Sequence, residues 1–254
     1  MSQYIFFIDV DDTLVSRGTF SMDEKISNLF KRVQNEGHII AVVTGRALEA
    51  TYRIKGIENA KYICGLMGSV VADGKTKQNI MRPTPMNHHA VKEFIEDINS
   101  CGLMWTYKDE FSEKTIYDAD EMKRYTAYVV DIGEQIKDVE RGGIIQLLVH
   151  GNLPQEIMDK YEQFDYFKMP GGYYDVTSKG SSKEKAVEFL KGLHPGFVSV
   201  AIGDSNNDIA MFNKCEIKIA MGNANQTIKQ MATHITKSVE ECGVCYAIEE
   251  ILNI

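Results

Sequence analysis

Three segments of this chain place acidic or hydroxyl side chains directly after short apolar runs. They are Asp9-Val10-Asp11-Asp12 after Tyr4–Ile8, Thr44-Gly45-Arg46 after Ile39–Val43, and Gly203-Asp204-Ser205-Asn206-Asn207-Asp208 after Val198–Ile202. In an open parallel sheet, ligands bind just beyond the carboxyl ends of the strands, where these side chains would meet. The sequence therefore predicts one polar site at a single edge of a sheet.

The acidic side chains of this predicted site need a cation. Asp9, Asp11, Asp204 and Asp208 would crowd four carboxylates into one crevice, where repulsion forces protons onto them at neutral pH. Hard oxygen ligands select Mg²⁺, which is the expected cofactor, with these four residues as candidate ligands. With the metal bound, one carboxylate can stay ionised as a nucleophile while a second exchanges a proton with a leaving oxygen.

The other polar residues of the set suit an anionic substrate. Lys183 opens a predicted helix after the run Tyr173–Thr177 and offers a fixed positive charge, a role for which Lys179 is a rival. Thr44 adds a hydroxyl, with backbone N–H groups nearby. Phosphoryl transfer needs an in-line nucleophile, charge neutralisation and a proton for the leaving group, and this set can supply all three.

Each motif alone has a simpler explanation. Asp9 and Asp11 could form a turn at the end of a strand, and Asp208 could cap the helix that follows it. Arg46 is either a surface charge or a phosphate contact. Because the motifs occur together and in order along the chain, the catalytic interpretation is favoured over these separate ones.

Strands and helices alternate at both ends of the chain. Apolar runs without polar alternation predict buried parallel strands over Tyr4–Ile8, Ile39–Val43, Tyr62–Met67, Val198–Ile202 and Ile217–Ala220. Helical periodicity predicts helices over Asp23–Glu36, Lys183–Lys191, Asn206–Asn213, Asn225–Ala232 and Val239–Leu252. This alternation is typical of an α/β fold with a doubly wound parallel sheet, a Rossmann-like core that would comprise residues 1–82 and 175–254.

The middle of the chain, residues 83–174, has a different pattern that predicts an inserted α+β cap domain. The expected elements are helices over Asn87–Ser100 and Pro154–Gln163, extended segments over Leu103–Tyr107, Thr126–Ile132 and Ile145–His150, and a hairpin around Pro170-Gly171-Gly172. Such a cap would close over the strand ends, exclude bulk water and contact the leaving group.

The ordered motifs resemble those of the haloacid dehalogenase-like hydrolases. The resemblance rests on segments 9–14, 44–46 and 203–208 together with Lys183. The insertion between the second and third motifs is similar to that of Cof-type phosphatases with a C2B cap. Gly222-Asn223-Ala224 and Gly243-Val244 also fit the family's C-terminal pattern.

This resemblance implies hydrolysis of a small phosphomonoester, a sugar phosphate or a nucleotide, through an aspartyl-phosphate on Asp9. It implies that Asp11 protonates the departing alcohol, and that Thr44 and Lys183 hold the phosphoryl oxygens. Mg²⁺ would be bound by the Asp9 carboxylate, the Asp11 main-chain carbonyl and Asp204. Asp208 and Asn207 would support the metal, and Gly45 and Asn207 would complete the phosphate site.

Two positions depart from the family pattern. Asp12 stands where the family usually has Gly, and Met67-Gly68 stands where it usually has Asn-Gly, so a polar contact to substrate or to the phosphate site is expected to be missing at Met67. Two other functions also fit the motifs: a phosphomutase with the same aspartyl-phosphate, and a phosphate-ligand sensor without catalysis. Product analysis and a turnover assay, respectively, discriminate them from a phosphatase.

The composition of the chain indicates which classes of partner it is expected to bind. The 254 residues include 28 Lys+Arg and 36 Asp+Glu, giving a net charge of −8, which disfavours nucleic-acid binding. No uncharged apolar stretch approaches the roughly 20 residues that a membrane-spanning helix needs.

Five cysteines without a secretory signal predict free thiols and a cytoplasmic location. Cys242 and Cys245 form a lone C-x-x-C that no second pair or flanking His completes as a metal site. A small phosphorylated metabolite is the expected partner, and the oligomeric state stays open.

Overall fold

The computed structural model describes residues 2–109, 113–115, 143–169 and 171–253. The chain divides into a first unit, Met1–Arg82 with Ser182–Ile254, and a second unit, Pro83–Ser181. The second unit runs past the boundary expected at residue 174 because the strand that begins at Tyr173 pairs with other strands of that unit.

Strands and helices alternate through most of the described chain. The strands are β1 (Tyr4–Ile8), β2 (Ile39–Val43), β3 (Tyr62–Gly65), β4 (Val70–Asp73), β5 (Asn79–Met81), β6 (Met104–Lys108), β7 (Glu113–Thr115), β8 (Gln146–His150), β9 (Phe164–Met169), β10 (Tyr173–Ser178), β11 (Val198–Gly203), β12 (Ile217–Ala220) and β13 (His234–Ile235). The α-helices are α1 (Glu24–Asn35), α2 (Leu48–Tyr52), α3 (His88–Ser100), α4 (Gln155–Lys160), α5 (Lys183–Leu193), α6 (Ile209–Lys214), α7 (Gln226–Met231) and α8 (Gly243–Leu252).

In the first unit, the described residues form an eight-stranded sheet in the order β13-β12-β11-β1-β2-β3-β4-β5. The strands from β13 to β3 are parallel, and β4 and β5 join antiparallel. β1 lies in the interior of the sheet between β11 and β2, and Ile5, Phe6, Phe7 and Ile8 are fully buried. Burial on both faces explains why these strands are apolar throughout, and the predicted doubly wound, Rossmann-like core is confirmed.

The third strand ends earlier than the sequence predicted. The apolar run over Tyr62–Met67 suggested one strand, but β3 stops at Gly65. Leu66, Met67 and Gly68 then follow with φ of +52°, +55° and +79°. Left-handed backbone at successive residues turns the chain back on itself, so that β4 pairs antiparallel with β3. The β4–β5 hairpin was therefore missing from the sequence prediction.

In the second unit, the described residues form an antiparallel sheet in the order β7-β6-β8-β10-β9. α3 and α4 pack against this sheet, and Phe94 meets Tyr161 edge to face at 5.3 Å between ring centroids. Gly171 and Gly172, at φ of +103° and +80°, turn the chain from β9 into β10, as the expected hairpin requires. The extended segment expected over Thr126–Ile132 lies outside the described residues. No helix in the described part of the chain is long and apolar enough to cross a bilayer.

Candidate active site

A buried lysine joins two of the predicted site carboxylates. Lys183, the first residue of α5, has no exposed surface. Its Nζ donates to Oδ1 of Asp9 and, at 2.6 Å, to Oδ1 of Asp208. Asp9 follows β1, and its backbone N–H donates to the carbonyl of Ile202 on neighbouring β11 at 3.0 Å. Two adjacent strands and one helix start therefore fix this bridge.

Asp208 also holds the loop that follows β11. Its Oδ2 accepts hydrogen bonds from the backbone N–H groups of Asp204 at 3.0 Å and Ser205 at 3.1 Å. Asp208 thus caps its own turn, as one sequence interpretation suggested, and pairs with Lys183 as well. Gly203 makes this possible, because a Cβ there would lie 2.6 Å from Cγ of Asp208.

The carboxylates of Asp9, Asp204 and Asp208 form one cluster, with an oxygen of each within 4.8 Å of the others. Burial raises the pKa of Asp9 well above its ordinary value. Burial, with the neighbouring charge of Asp208, raises the pKa of Asp204 to about 7. Burial by itself would lower the pKa of Lys183, but Asp208 and Asp9 raise it, so the ammonium stays charged.

This donor set fits a divalent cation. Three buried carboxylates share the cluster with one ammonium, which leaves an excess of negative charge that a doubly charged ion would balance. All the donors are oxygen atoms, the ligands that Mg²⁺ prefers. Asp204 is the member whose oxygens are least engaged, since its described partner is the Thr13 hydroxyl at 3.3 Å.

The carboxylate of Asp11 is turned toward Arg46. Nε of Arg46 donates to Oδ2 at 3.0 Å and Nη2 donates to Oδ1 at 2.6 Å, while the guanidinium lies 5.1 Å from the ring centroid of Phe20. Burial acts to raise the pKa of Asp11, but the hydrogen bonds and charge of Arg46 outweigh it and lower the pKa. Arg46 is therefore not a free surface charge: in this structure it is the partner of Asp11, and its contact with a phosphate stays a prediction.

Thr44 lies at the end of β2 and is almost completely buried. Its backbone N–H donates to the carbonyl of Cys64 at 2.8 Å, and its Oγ1 accepts from the backbone N–H of Arg46 at 3.1 Å, across Gly45. The left-handed turn after β3 packs beside it, because Met67 donates its backbone N–H to the carbonyl of Thr44 at 3.0 Å.

That same turn reaches the start of α5. A Cβ on Gly68 would lie 2.9 Å from Cα of Lys183, so glycine is required for the close approach. The side chain of Met67 is completely buried, and no polar group of the usual Asn stands in its place.

The structure brings Asp9, Lys183, Asp204 and Asp208 into one cluster, whereas the side chains of Asp11 and Thr44 form hydrogen bonds with Arg46. Asn207 accepts a hydrogen bond from Oγ of Ser205 at 2.7 Å, within its own turn. The rival Lys179 donates instead to the carbonyl of Glu162 at 3.0 Å, within the second unit. Lys183 is therefore the lysine of the acidic cluster.

Sequence reasoning assigned no role to two asparagines that support the site loops. Nδ2 of Asn223 donates to the carbonyl of Asp12 at 2.8 Å, and its Oδ1 accepts from the backbone of Val239 at 3.0 Å. Asn225 donates its backbone N–H to the carbonyl of Asp204 at 3.0 Å. The segment Gly222-Asn223-Ala224, noted in the sequence as a family pattern, was the available signal.

Comparison with known proteins gives a consistent picture. Residues 6–248 match the model of a family described as haloacid dehalogenase-like hydrolase. A Streptococcus pyogenes protein named for phosphatase and peptidyl-prolyl cis-trans isomerase activities is 28% identical over 260 residues, which cover 96% of this chain and 53% of that protein. The chain therefore spans about half the length of this relative.

Solved structures share the fold. The phosphatase BT1666 from Bacteroides thetaiotaomicron superposes with a TM-score of 0.85 at 22% identity, covering 100% of this chain and 96% of the other. BT4131, named as a subclass IIB sugar phosphatase, superposes with a TM-score of 0.83 at 19% identity over 100% of both chains. These matches confirm the predicted fold class and the resemblance that the motifs carried.

Proposed function

This chain belongs to the haloacid dehalogenase-like hydrolases, and on that premise we propose that it hydrolyses a small phosphomonoester, with Mg²⁺ as its metal and Asp9 as the residue that accepts the phosphoryl group. The observation that carries the proposal is the Lys183 bridge between Asp9 and Asp208, with Asp204 in the same buried cluster. A cluster held only for stability would be replaced at little cost by apolar side chains, whereas charged groups of opposite sign in fixed positions suit phosphoryl transfer.

Asp9 is suited to be the nucleophile because one of its oxygens is fixed. Lys183 holds Oδ1 and so orients the carboxylate, which leaves Oδ2 as the oxygen that attacks phosphorus in line with the leaving group. The new bond joins Oδ2 to phosphorus as the bond from phosphorus to the substrate oxygen breaks. The product of this first step is an aspartyl-phosphate and an alcohol.

Asp11 is the candidate that gives its proton to the departing oxygen. It lies two residues after Asp9, beyond the end of β1, and Arg46 fixes the orientation of its carboxylate. In the second step the same carboxylate takes a proton from the water that attacks phosphorus, the bond from phosphorus to Oδ2 of Asp9 breaks, and inorganic phosphate leaves with the Asp9 carboxylate restored. Because Arg46 favours the ionised form of Asp11, the guanidinium has to release the carboxylate in the substrate complex.

Charge that develops on the phosphoryl oxygens needs fixed donors. Lys183 supplies an ammonium that is completely buried and held in place, and Thr44 supplies a side-chain hydroxyl at the end of β2. Asp9, Asp204 and Asp208, with the main-chain carbonyl of Asp11, would hold the metal. When bound, Mg²⁺ neutralises the phosphoryl charge and lowers the repulsion that an anionic nucleophile meets.

The substrate class follows from the relatives and not from the site. A structural neighbour is named as a sugar phosphatase, which supports a sugar phosphate, with a nucleotide as the other member of the proposed class. We attribute the choice among leaving groups to the second unit, residues 83–181, since the catalytic residues proposed here all belong to the first unit.

A screen of phosphorylated metabolites with and without Mg²⁺ tests the proposal. We expect free phosphate to be released only with the metal, and Asp9→Asn to lower kcat by about 10³-fold or more. Asp23→Asn makes the same chemical change at an exposed helix cap, where Asn serves equally well, and should leave activity unchanged. Turnover that survives Asp9→Asn would contradict the nucleophile assignment. An isomeric sugar phosphate in place of free phosphate would indicate a mutase.

A further inference from the structure

Two cysteines meet at the start of the last helix, away from the acidic cluster. Cys242 precedes α8 with a left-handed backbone, at φ of +59°, and Cys245 lies in the first turn of that helix. Their Sγ atoms are 2.7 Å apart, close enough for one thiol to donate a hydrogen bond to the other. The lone C-x-x-C of the sequence is therefore a pair of thiols in contact.

The two thiols differ in their surroundings. Cys245 is buried, with 8% of its surface exposed, whereas Cys242 is half-buried. Both line an open cleft of about 500 Å³, to which α1 contributes Lys25 and Arg32 and α8 contributes Tyr246. A small molecule in this cleft can therefore reach Cys242, and Cys245 is the less exposed of the two thiols.

A metal site does not explain the pair. Among the described residues, the group of three or more His, Cys, Asp or Glu side chains close enough to hold an ion is the cluster of Asp9, Asp204 and Asp208. Two thiolates alone fall short of the four ligands that a structural zinc site takes. The spacing and the contact instead match a dithiol that can close into a disulfide.

The chemistry of the pair is asymmetric. The hydrogen bond from Cys245 lowers the pKa of the Cys242 thiol despite its partial burial. The same hydrogen bond, together with burial, raises the pKa of Cys245. Cys242 also stands at the N-terminal end of a ten-residue helix, where the helix dipole favours a thiolate. These features assign Cys242 as the attacking sulfur and Cys245 as the resolving one.

We propose that Cys242 and Cys245 form a redox-active dithiol that low-molecular-weight disulfides oxidise reversibly. The Cys242 thiolate attacks one sulfur of the small disulfide, forms a mixed disulfide and expels one small thiolate. Cys245 then loses its proton and attacks the Cys242 sulfur, forming the Cys242–Cys245 disulfide and expelling the second small thiol. The two protein thiols are oxidised, and the small disulfide is reduced to two thiols.

Close packing around Gly243 holds Cys242 and Cys245 in position next to each other. Gly243, between the two cysteines, packs so closely that a Cβ there would lie 2.0 Å from the carbonyl of Lys237. Its carbonyl accepts a hydrogen bond from Oγ1 of Thr236 at 2.7 Å. Since the first turn of α8 is fixed in this way, the two sulfurs meet without refolding of the helix. The dithiol chemistry does not depend on the proposed phosphatase activity.

Redox titration of the full chain with mixtures of oxidised and reduced glutathione tests this proposal. Samples are quenched in acid, alkylated and analysed by intact mass and peptide mapping. We expect the wild type to lose two hydrogens at the Cys242–Cys245 peptide as the oxidised fraction of the buffer rises, and to regain them when reduced glutathione is restored.

Single-cysteine variants separate the attacking role from the resolving role, and circular dichroism checks that each variant is folded. Cys245→Ser should accumulate one glutathione at Cys242, because no resolving thiol remains. Cys242→Ser should take up none at Cys245, and Cys101→Ser, at an exposed cysteine, should behave as the wild type. The proposal is overturned if the folded wild type forms no Cys242–Cys245 disulfide at any buffer ratio, or if Cys101 is the residue that reacts.

Discussion

The guanidinium of Arg46 and the carboxylate of Asp11 form a two-pronged ion pair across the loops that follow β1 and β2. Both oxygens of the carboxylate are engaged, so the pair fixes its plane as well as its position. Arg46 also donates to the carbonyl of Thr19 at 3.3 Å, which ties the segment between β1 and α1 to the same point. Arg46 thereby fixes the carboxylate of the proposed proton donor and anchors the segment that follows it.

Replacement of Arg46 should affect substrates according to their leaving groups. Arg46→Lys keeps the positive charge but loses the two parallel hydrogen bonds of the guanidinium, so the carboxylate of Asp11 is held less firmly. We expect kcat/KM to fall about 10- to 100-fold for an alkyl phosphate, whose leaving oxygen needs a proton, and much less for a nitrophenyl phosphate. Steady-state kinetics on both substrates measure this difference.

The matched control is Arg53→Lys, which alters an exposed pair with Glu49 and should change neither substrate. Equal losses of Arg46→Lys on the two substrates would mean that Arg46 binds the phosphoryl group and does not act through Asp11.

Gly203 should tolerate no side chain. In Gly203→Ala the new Cβ would displace the carboxylate of Asp208, which releases Lys183 and the loop at Asp204 together. We expect a loss of about 1–3 kcal/mol in the free energy of unfolding, with reduced kcat. Gly192→Ala is the matched change, since a Cβ in α5 meets nothing within 4 Å there; it should stabilise by about 0.5–1 kcal/mol. Urea unfolding and steady-state kinetics measure the free energy of unfolding and kcat. A Gly203→Ala variant with the stability and activity of the wild type would show that the position of Asp208 does not depend on glycine at residue 203.

Metal binding should stabilise the chain in a pH-dependent way. Burial and Asp208 raise the pKa of Asp204 to about 7, so a cation must displace a proton at lower pH. We expect Mg²⁺ to raise Tm relative to chelator, by more at about pH 8 than at about pH 6. Asp204→Asn should abolish the shift, whereas Asp159→Asn on α4 should keep it. A shift that is unchanged in Asp204→Asn would place the ion elsewhere.

Gln146 is a buried amide of the second unit. Its side chain is completely buried, and among the residues that the structure describes neither Nε2 nor Oε1 has a hydrogen-bond partner. Because an unsatisfied buried amide costs about 1–3 kcal/mol, Gln146→Met should increase the free energy of unfolding by about 1 kcal/mol. Gln163→Met, at an exposed position, should stay within about 0.5 kcal/mol of the wild type. Urea titration measures both. If the amide serves a ligand, KM for the best phosphomonoester should rise in the stabilised variant.

His194 makes the stability of the first unit sensitive to mild acid. Its Nε2 lies 2.8 Å from the hydroxyl of Tyr62, and burial, with Lys61 nearby, lowers its pKa below 6.5. As the pH falls below 6.5, the unfolded chain takes up this proton before the folded chain does, so stability decreases with falling pH. Urea midpoints across this range should fall less steeply in His194→Gln than in wild type. His89→Gln, on the exposed surface, should match the wild type. If the urea midpoint of His194→Gln falls with pH as steeply as that of the wild type, His194 does not cause the acid sensitivity.

The alternation of strands and helices was readable from the sequence because each buried strand is apolar over its own length. The strand-end rule then led to Asp9, Asp204 and Asp208, since parallel neighbours deliver their next residues to one edge. Neither inference needs knowledge of distant contacts. The confirmed fold class and the assembled cluster both rest on such local information.

The remaining features depend on contacts between distant residues. Nothing in the run Tyr62–Met67 shows that the backbone turns left-handed at Leu66, because the residues themselves remain apolar. Asp11 pairs with Arg46, which lies 35 positions away in the sequence, and Asp9 pairs with Lys183, which lies 174 positions away. Pairings of this kind are decided by packing, which a single sequence does not display.

The position of β1 between β11 and β2 has a consequence during synthesis. Asp9 is synthesised before its partners Lys183 and Asp208, which emerge only after the whole second unit. Until then β1 has one open edge, of the sort that attracts foreign strands. Nascent chains halted before β11 should accordingly be prone to aggregation, and they lack the acidic cluster, which is complete only once Asp204 and Asp208 have been added.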